Sequence, residues 1–179
     1  GDWSSDVCSS DLCKAAITDS VNYANEREQF GRAISKYGAI RYKIAQQAIK
    51  TFATESATYR ASQNIDDAIQ ALEAGGMSHS DAILKGVEEF AIECAILKVD
   101  GSETLDYVVD EGLQVYGGMG FSAESEVEAC YRDARISRIY EGTNEINRLL
   151  IVKMVLKKAV TGEIDFFGPA KNVAKELMS

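Results

Sequence analysis

One carboxylate, Glu141, stands between Tyr140 and Gly142 within the stretch Arg135 to Arg148, RISRIYEGTNEINR. Gly142 breaks the chain. Thr143 then reads as the N-cap of a helix whose first apolar positions are Ile146, Leu149 and Leu150. A carboxylate in that place is held by backbone on both sides and aimed by the helix that follows it. Such a group is suited to act as a general base toward a carbon acid. For an arbitrary Glu-Gly pair, a solvated acidic turn is the ordinary expectation.

Three further segments carry residue types that contact phosphates or riboses. In Glu26-Arg27-Glu28-Gln29-Phe30-Gly31, an arginine at a helix end lies beside a glycine that lets the backbone turn, which suits a pyrophosphate. The bland alternative is an arginine complementing the helix C-terminal dipole. The segment Ser35-Lys36-Tyr37-Gly38-Ala39-Ile40 follows. In Gln114-Val115-Tyr116-Gly117-Gly118-Met119-Gly120-Phe121, three glycines in four residues allow a close backbone approach, and Gln114 brings an amide donor.

Helices must position these groups. From Cys13 the pattern is helical: residues 13–28 place Ala16, Ile17, Val21 and Ala24 on one side and end near Phe30-Gly31. A loop leads to a long helix from about Ile40, with Ile40, Ile44, Ala48 and Phe52 spaced by four. Residues 65–74 continue it or form separate last turns, and Gly75-Gly76 end it. Ser80 is expected to cap a third helix with a seam of Ile83, Val87, Phe90, Cys94 and Leu97, interrupted at Asp100-Gly101 and resumed from Leu105 to Tyr116. A short amphipathic piece, about 127–134, leads to the Glu141 turn. The last strong helix spans about 143–160 and reads as largely buried. No stretch alternates convincingly as a strand. The fold class expected is all-α, an antiparallel bundle of about four long helices.

The chain has 179 residues, 46% hydrophobic and 26% charged, with a single proline, as in a soluble globular helical protein. A net charge of −9 argues against a nucleic-acid partner. No apolar run approaches the ~20 residues needed to span a bilayer. One histidine makes a His-based metal site implausible, and the four cysteines show no CxxC spacing. Residues 1–12, GDWSSDVCSSDL, show no period and no signal-peptide organisation, and they resemble a translated sequencing adapter. They are expected to be a non-native leader, with 13–160 the helical bundle domain and 161–179 the truncated start of a C-terminal helical extension.

The four segments, in this order, resemble the C-terminal domain of acyl-CoA dehydrogenases, over roughly residues 13–160. The length of the match favours Glu141 as a base over a solvated turn. The resemblance implies an FAD-dependent enzyme that desaturates fatty acyl-CoA to trans-2-enoyl-CoA in fatty acid β-oxidation. It implies that Tyr140, Glu141 and Gly142 meet the substrate, and that Thr143 and Glu145 approach the FAD of their own subunit. Arg27, Gln29, Phe30, Gln114, Gly117 and Gly118 would reach the FAD of a neighbouring subunit, in a homo-oligomer that is at least a dimer. Arg148 is expected to pair within the bundle. An electron-transfer flavoprotein is the implied electron acceptor. The compartment is the cytoplasm in a bacterium or the mitochondrial matrix in a eukaryote. Tyr37-Gly38, Gly118-Met119-Gly120 and the residues after Gly162 resemble the very-long-chain branch. Many members carry His-Gln where Tyr37-Gly38 stands, so that cofactor contact departs from the common pattern. The family's N-terminal helical and middle β-domains are absent from these residues, so the chain alone is expected to catalyse nothing. The alternatives are an acyl-CoA oxidase-like flavoenzyme, or a non-catalytic helical interaction domain derived from this fold.

Overall fold

A computed structural model describes residues 3–165 and 167–178. In chain order the elements are α1 (Trp3–Glu26), a hairpin of β1 (Glu28–Gln29) and β2 (Arg32–Ala33), α2 (Gly38–Ala74), α3 (His79–Glu89), α4 (Ala91–Tyr116), α5 (Glu126–Ala134), α6 (Asn144–Thr161) and α7 (Phe167–Leu177). Short 3-10 turns occupy Ile34–Lys36, Gly117–Met119 and Arg135–Arg138.

The cross-helix contacts define an up-and-down bundle. Lys14 of α1 bonds to Glu55 of α2, while Ala24 packs near Ile40 and Ile44, so these two helices are antiparallel. Gln47 of α2 donates to the Val108 carbonyl, and Thr54 donates to Asp100, so α2 and α4 are antiparallel too. Arg148 of α6 reaches Glu103 of α4, and Lys158 reaches Glu89, which ends α3 two residues before α4 starts, so α6 runs antiparallel to α4. Two apolar clusters fill the interior. Cys13, Leu105, Val108, Val109 and Ala134 form one, and Ala24, Ile34 and Val115 form the other. Burial pushes the Cys13 thiol up to about 11, partly offset by the Thr51 hydroxyl, so it behaves as a small apolar core group.

Several boundaries differ from the sequence expectations. α1 extends back to Trp3, through buried Ser9 and Ser10, although a Ser/Asp-rich run has weak helix propensity and no apolar period. Its other end stops at Glu26, because Phe30 (φ +53°) and Gly31 (φ +82°) form a two-residue hairpin turn with both central residues left-handed. That pairing, Glu28 opposite Ala33 and Gln29 opposite Arg32, is too short to show as alternation. Ser78, not Ser80, caps α3 by accepting from the Asp81 N–H. The helix break falls at Phe90, and α4 runs unbroken through Asp100-Gly101. There Gly101 is buried in the bundle and Asp100 accepts from Thr54 at 2.6 Å.

The buried face of α2 consists of Gln47, Thr51, Thr54, Thr58, Ala61 and Ile65, whereas Phe52 is 72% exposed. α6 is also far from buried: Leu149 is 73% exposed and Val160 80%, since α4 is its principal packing partner within this chain. Of residues 161–179, read as the start of an extension, Phe166 and Ser179 lie outside the described residues. α7 begins at Phe167 and holds Gly168 and Pro169 in its first turn.

Candidate active site

The Glu141 turn is built by two helix ends. The Arg135–Arg138 turn closes with the Ile139 and Tyr140 N–H groups donating to the Ile136 carbonyl, at 2.8 and 3.2 Å. Glu141 (φ +57°) and Gly142 (φ +85°) then both adopt left-handed backbone. For Gly142 this costs nothing; for a glutamate it costs about 1–2 kcal/mol, a strain that is found concentrated at functional sites. Thr143 restarts the helix, its Oγ1 accepting from the Ile146 N–H at 3.3 Å. Glu145 sits in the first turn of α6. Its own backbone N–H, and next the Thr143 hydroxyl, hold its carboxyl below the usual range. Thr143→Ala removes this cap and is expected to cost about 1 kcal/mol, read as a lower unfolding midpoint. An unchanged midpoint would show that other contacts fix the start of α6.

A polar network that the sequence did not announce supports the turn from α4. Asn144, 2% exposed, meets Ser102 at 3.0 Å and Glu103 at 3.3 Å. Lys98 donates to the Gly142 carbonyl at 2.7 Å and to Asn144 Oδ1 at 2.8 Å. Arg138 pairs with Asp106 at 2.8 Å. Arg148 Nη2 donates to both Glu103 oxygens, at 2.7 and 2.8 Å, the pairing within the bundle that was expected of it. The available signal was the recurrence of Lys98, Ser102 and Asp106 every four residues along α4.

At the far end of α4 a second site forms. A cleft of about 810 Å³ is lined by Arg27 and Gln29 on one side and by Tyr116, Gly117 and Gly118 on the other. The Tyr23 and Tyr116 rings stack with centroids 4.0 Å apart. Gly117 has φ +61°, and a Cβ built on Gly117 or Gly118 would meet nothing within 4 Å, so the backbone there stays open to an incoming group. Gly120, by contrast, is packed: a Cβ would lie 2.6 Å from the Leu113 carbonyl oxygen. Tyr37 anchors the hairpin, donating to the Gln29 carbonyl at 2.8 Å with Arg32 stacked over its ring at 4.1 Å. The structure thus gathers Arg27, Gln29, Gly117 and Gly118. Gln114 is exposed one turn back on α4, outside the cleft lining, and Phe30 stands 93% exposed at the hairpin tip. Tyr140, Glu141, Gly142, Thr143 and Glu145 belong to the other site. Roughly 27 Å of helix separates Lys98, beside the turn, from Tyr116, at the cleft, at about 1.5 Å per residue.

Among the described residues no group of His, Cys, Asp and Glu could hold a metal ion. Nor is any described helix long and apolar enough to cross a membrane.

The pattern of the acyl-CoA dehydrogenase C-terminal domain matches residues 7–156, and the chain belongs to the acyl-CoA dehydrogenase family. A probable acyl-CoA dehydrogenase of Bacillus subtilis is 46% identical over 165 residues, 92% of this chain and 28% of that protein. The very long-chain specific acyl-CoA dehydrogenase of Rattus norvegicus mitochondria is 42% identical over 138 residues, 77% of this chain and 18% of that one. The crystal structure of an acyl-CoA dehydrogenase complexed with FAD from Bacillus anthracis superposes with a TM-score of 0.89 at 41% identity. That match covers 99% of this chain and 30% of the other. The chain thus spans less than a third of the length of each of these relatives.

Proposed function

We propose that the intact protein is an FAD-dependent acyl-CoA dehydrogenase, and that Glu141 removes the α-proton of a fatty acyl thioester. The carrying observation is Glu141 itself, a carboxylate in left-handed backbone on a turn braced by α4. An α-proton next to a thioester is too weakly acidic for a free carboxylate, so the site must stabilise the developing enolate charge. The backbone N–H of Glu141 is the proposed donor to the thioester carbonyl, an effect worth ~3–4 kcal/mol for a well-placed donor. Tyr140 and Gly142 flank the substrate.

The residues proposed to meet FAD lie at two places. The open Gly117-Gly118 backbone and Arg27 offer a cradle for a pyrophosphate or ribose, with Gln29 beside them. Thr143 and Glu145 lie at the other site. Bound FAD supplies the acceptor for the hydride leaving the β-carbon. A separation of roughly 27 Å along α4 supports the two places serving two different FAD molecules, the cleft reaching that of a partner subunit in a homo-oligomer. Phe30, in strained backbone and 93% exposed, belongs with that partner contact, as does Gln114. An electron-transfer flavoprotein is the proposed electron acceptor in fatty acid β-oxidation. The compartment follows the source, bacterial cytoplasm or mitochondrial matrix.

The test is anaerobic mixing of the intact holoenzyme with a series of saturated acyl-CoA esters. Bleaching of the flavin, with release of 2-enoyl-CoA and a preference for long chains, is the expected result. Absence of bleaching with every ester would sink the proposal. Stoichiometric oxygen uptake in air would move the enzyme to the oxidases.

A further inference from the structure

One face of α4 registers the whole Glu141 turn. Lys98, Ser102 and Asp106 share that face, and Glu103 lies beside it. Asp106 holds Arg138 ahead of the turn, while Ser102 and Glu103 hold Asn144 and Arg148 behind it. Lys98 reaches the turn's own backbone, through the Gly142 carbonyl at 2.7 Å, with Asn144 Oδ1 as its second acceptor at 2.8 Å. The same carbonyl accepts from Asn147 Nδ2 at 2.9 Å. That second contact is local to α6, so it cannot tie the turn to the bundle. Lys98 comes from 44 residues away and does.

We propose that Lys98 is a positioning residue for the base. The inference rests on Glu141 being that base. Two consecutive left-handed residues make the turn a strained conformation whose alternatives are lower in energy for a glutamate. A charge-assisted hydrogen bond to the Gly142 carbonyl fixes the Gly142–Thr143 peptide plane, at the exit of the left-handed pair. With that plane pinned to α4, the left-handed pair cannot relax by rotating at Gly142, and Glu141 keeps its place relative to α4. Asp106–Arg138 fixes the entry to the turn, and Lys98 fixes its exit. Without Lys98, α6 still forms on its Thr143 cap and stays tied to α4 through Asn144 and Arg148, but the Gly142 carbonyl loses its bond to α4.

The experiment uses the intact FAD-loaded enzyme. Lys98→Met keeps the aliphatic stem and removes the donors. It is expected to lower kcat by about 10–100-fold, as a misplaced base does, with KM within about 3-fold of the parent. Bound FAD stays stoichiometric. Amide hydrogen exchange across residues 140–143 is expected to rise at least ~10-fold. Lys98→Arg restores a charged donor and should return kcat to within about 5-fold of the parent. In the Glu141→Gln background, Lys98→Met should add less than about a 2-fold further loss, because two residues acting through one function are not additive. Unchanged kcat and exchange in Lys98→Met would overturn the proposal. So would a joint loss of kcat, KM and FAD that Arg does not rescue, which marks a merely structural lysine. Full activity of Glu141→Gln alone would remove the base assignment. Faster exchange at 140–143 would then show a clamp with no base to position, and the proposal would fall with the assignment.

Discussion

Glu141→Gln in the intact holoenzyme is expected to retain FAD and lose about 10²–10⁴-fold in kcat, the range for removal of a general base. The substitution keeps size and backbone, so the Glu141 N–H remains where the thioester carbonyl is proposed to bind. KM should change little, and the residual rate reports what that donor still contributes. A second variant separates base from strain. Glu141 holds φ +57°, where glycine is at ease. Glu141→Gly should therefore stabilise the fold by about 1 kcal/mol while lowering activity as far as glutamine does. A more stable, inactive protein is the signature of a residue kept for chemistry. Glu141→Gln at parental kcat would remove Glu141 from the mechanism.

Asn144→Leu is expected to destabilise the 179-residue chain by about 3 kcal/mol, measured as a shift in its chemical unfolding midpoint. Asn144 is buried, accepts from Lys98 and Ser102, and donates to Glu103. A leucine of similar volume leaves the Lys98 ammonium one acceptor short and the Ser102 hydroxyl without the amide. Removing one member of such a network costs more than the average hydrogen bond, because the Ser102 hydroxyl left behind remains away from water. A loss below about 1 kcal/mol would mean that the α4–α6 seam opens enough to hydrate them.

What was legible in the sequence was local. The Thr143 cap and the break at Gly142 are written within four consecutive residues, and the glycines at 117 and 118 need no partner to announce a sharp change of backbone. The convergence of Arg27 and Gln29 with Gly117 and Gly118 in one cleft followed from a family resemblance, not from spacing. What was missed depends on distant partners. Asp100-Gly101 reads as a helix break until Thr54 supplies the hydrogen bond that absorbs Asp100. Lys98 looks like any helix lysine until the chain returns 44 residues later. The α2 face was misjudged because apolar periodicity assumes that apolar residues are the buried ones. Here Phe52 is exposed, and α6 likewise shows Leu149 and Val160. In a chain spanning under a third of its relatives, such surfaces can be met by parts that lie outside it.

The hydroxyl-rich seam of α2 acts as a vernier. Thr54 is fitted to both Asp100 (2.6 Å) and Thr104 (3.0 Å), and Gln47 to the Val108 carbonyl (2.8 Å). A greasy seam tolerates a slip of one turn, about 5.4 Å, because one methyl group serves nearly as well as the next. A ladder of directional bonds does not: sliding α2 by a turn would break these bonds together. Since α4 braces the Glu141 turn along one part and ends at the glycine-lined cleft, the ladder sets where α2, and the hairpin just ahead of it, stand against both. A helix 37 residues long works as the bundle's ruler, with its graduations cut in threonine.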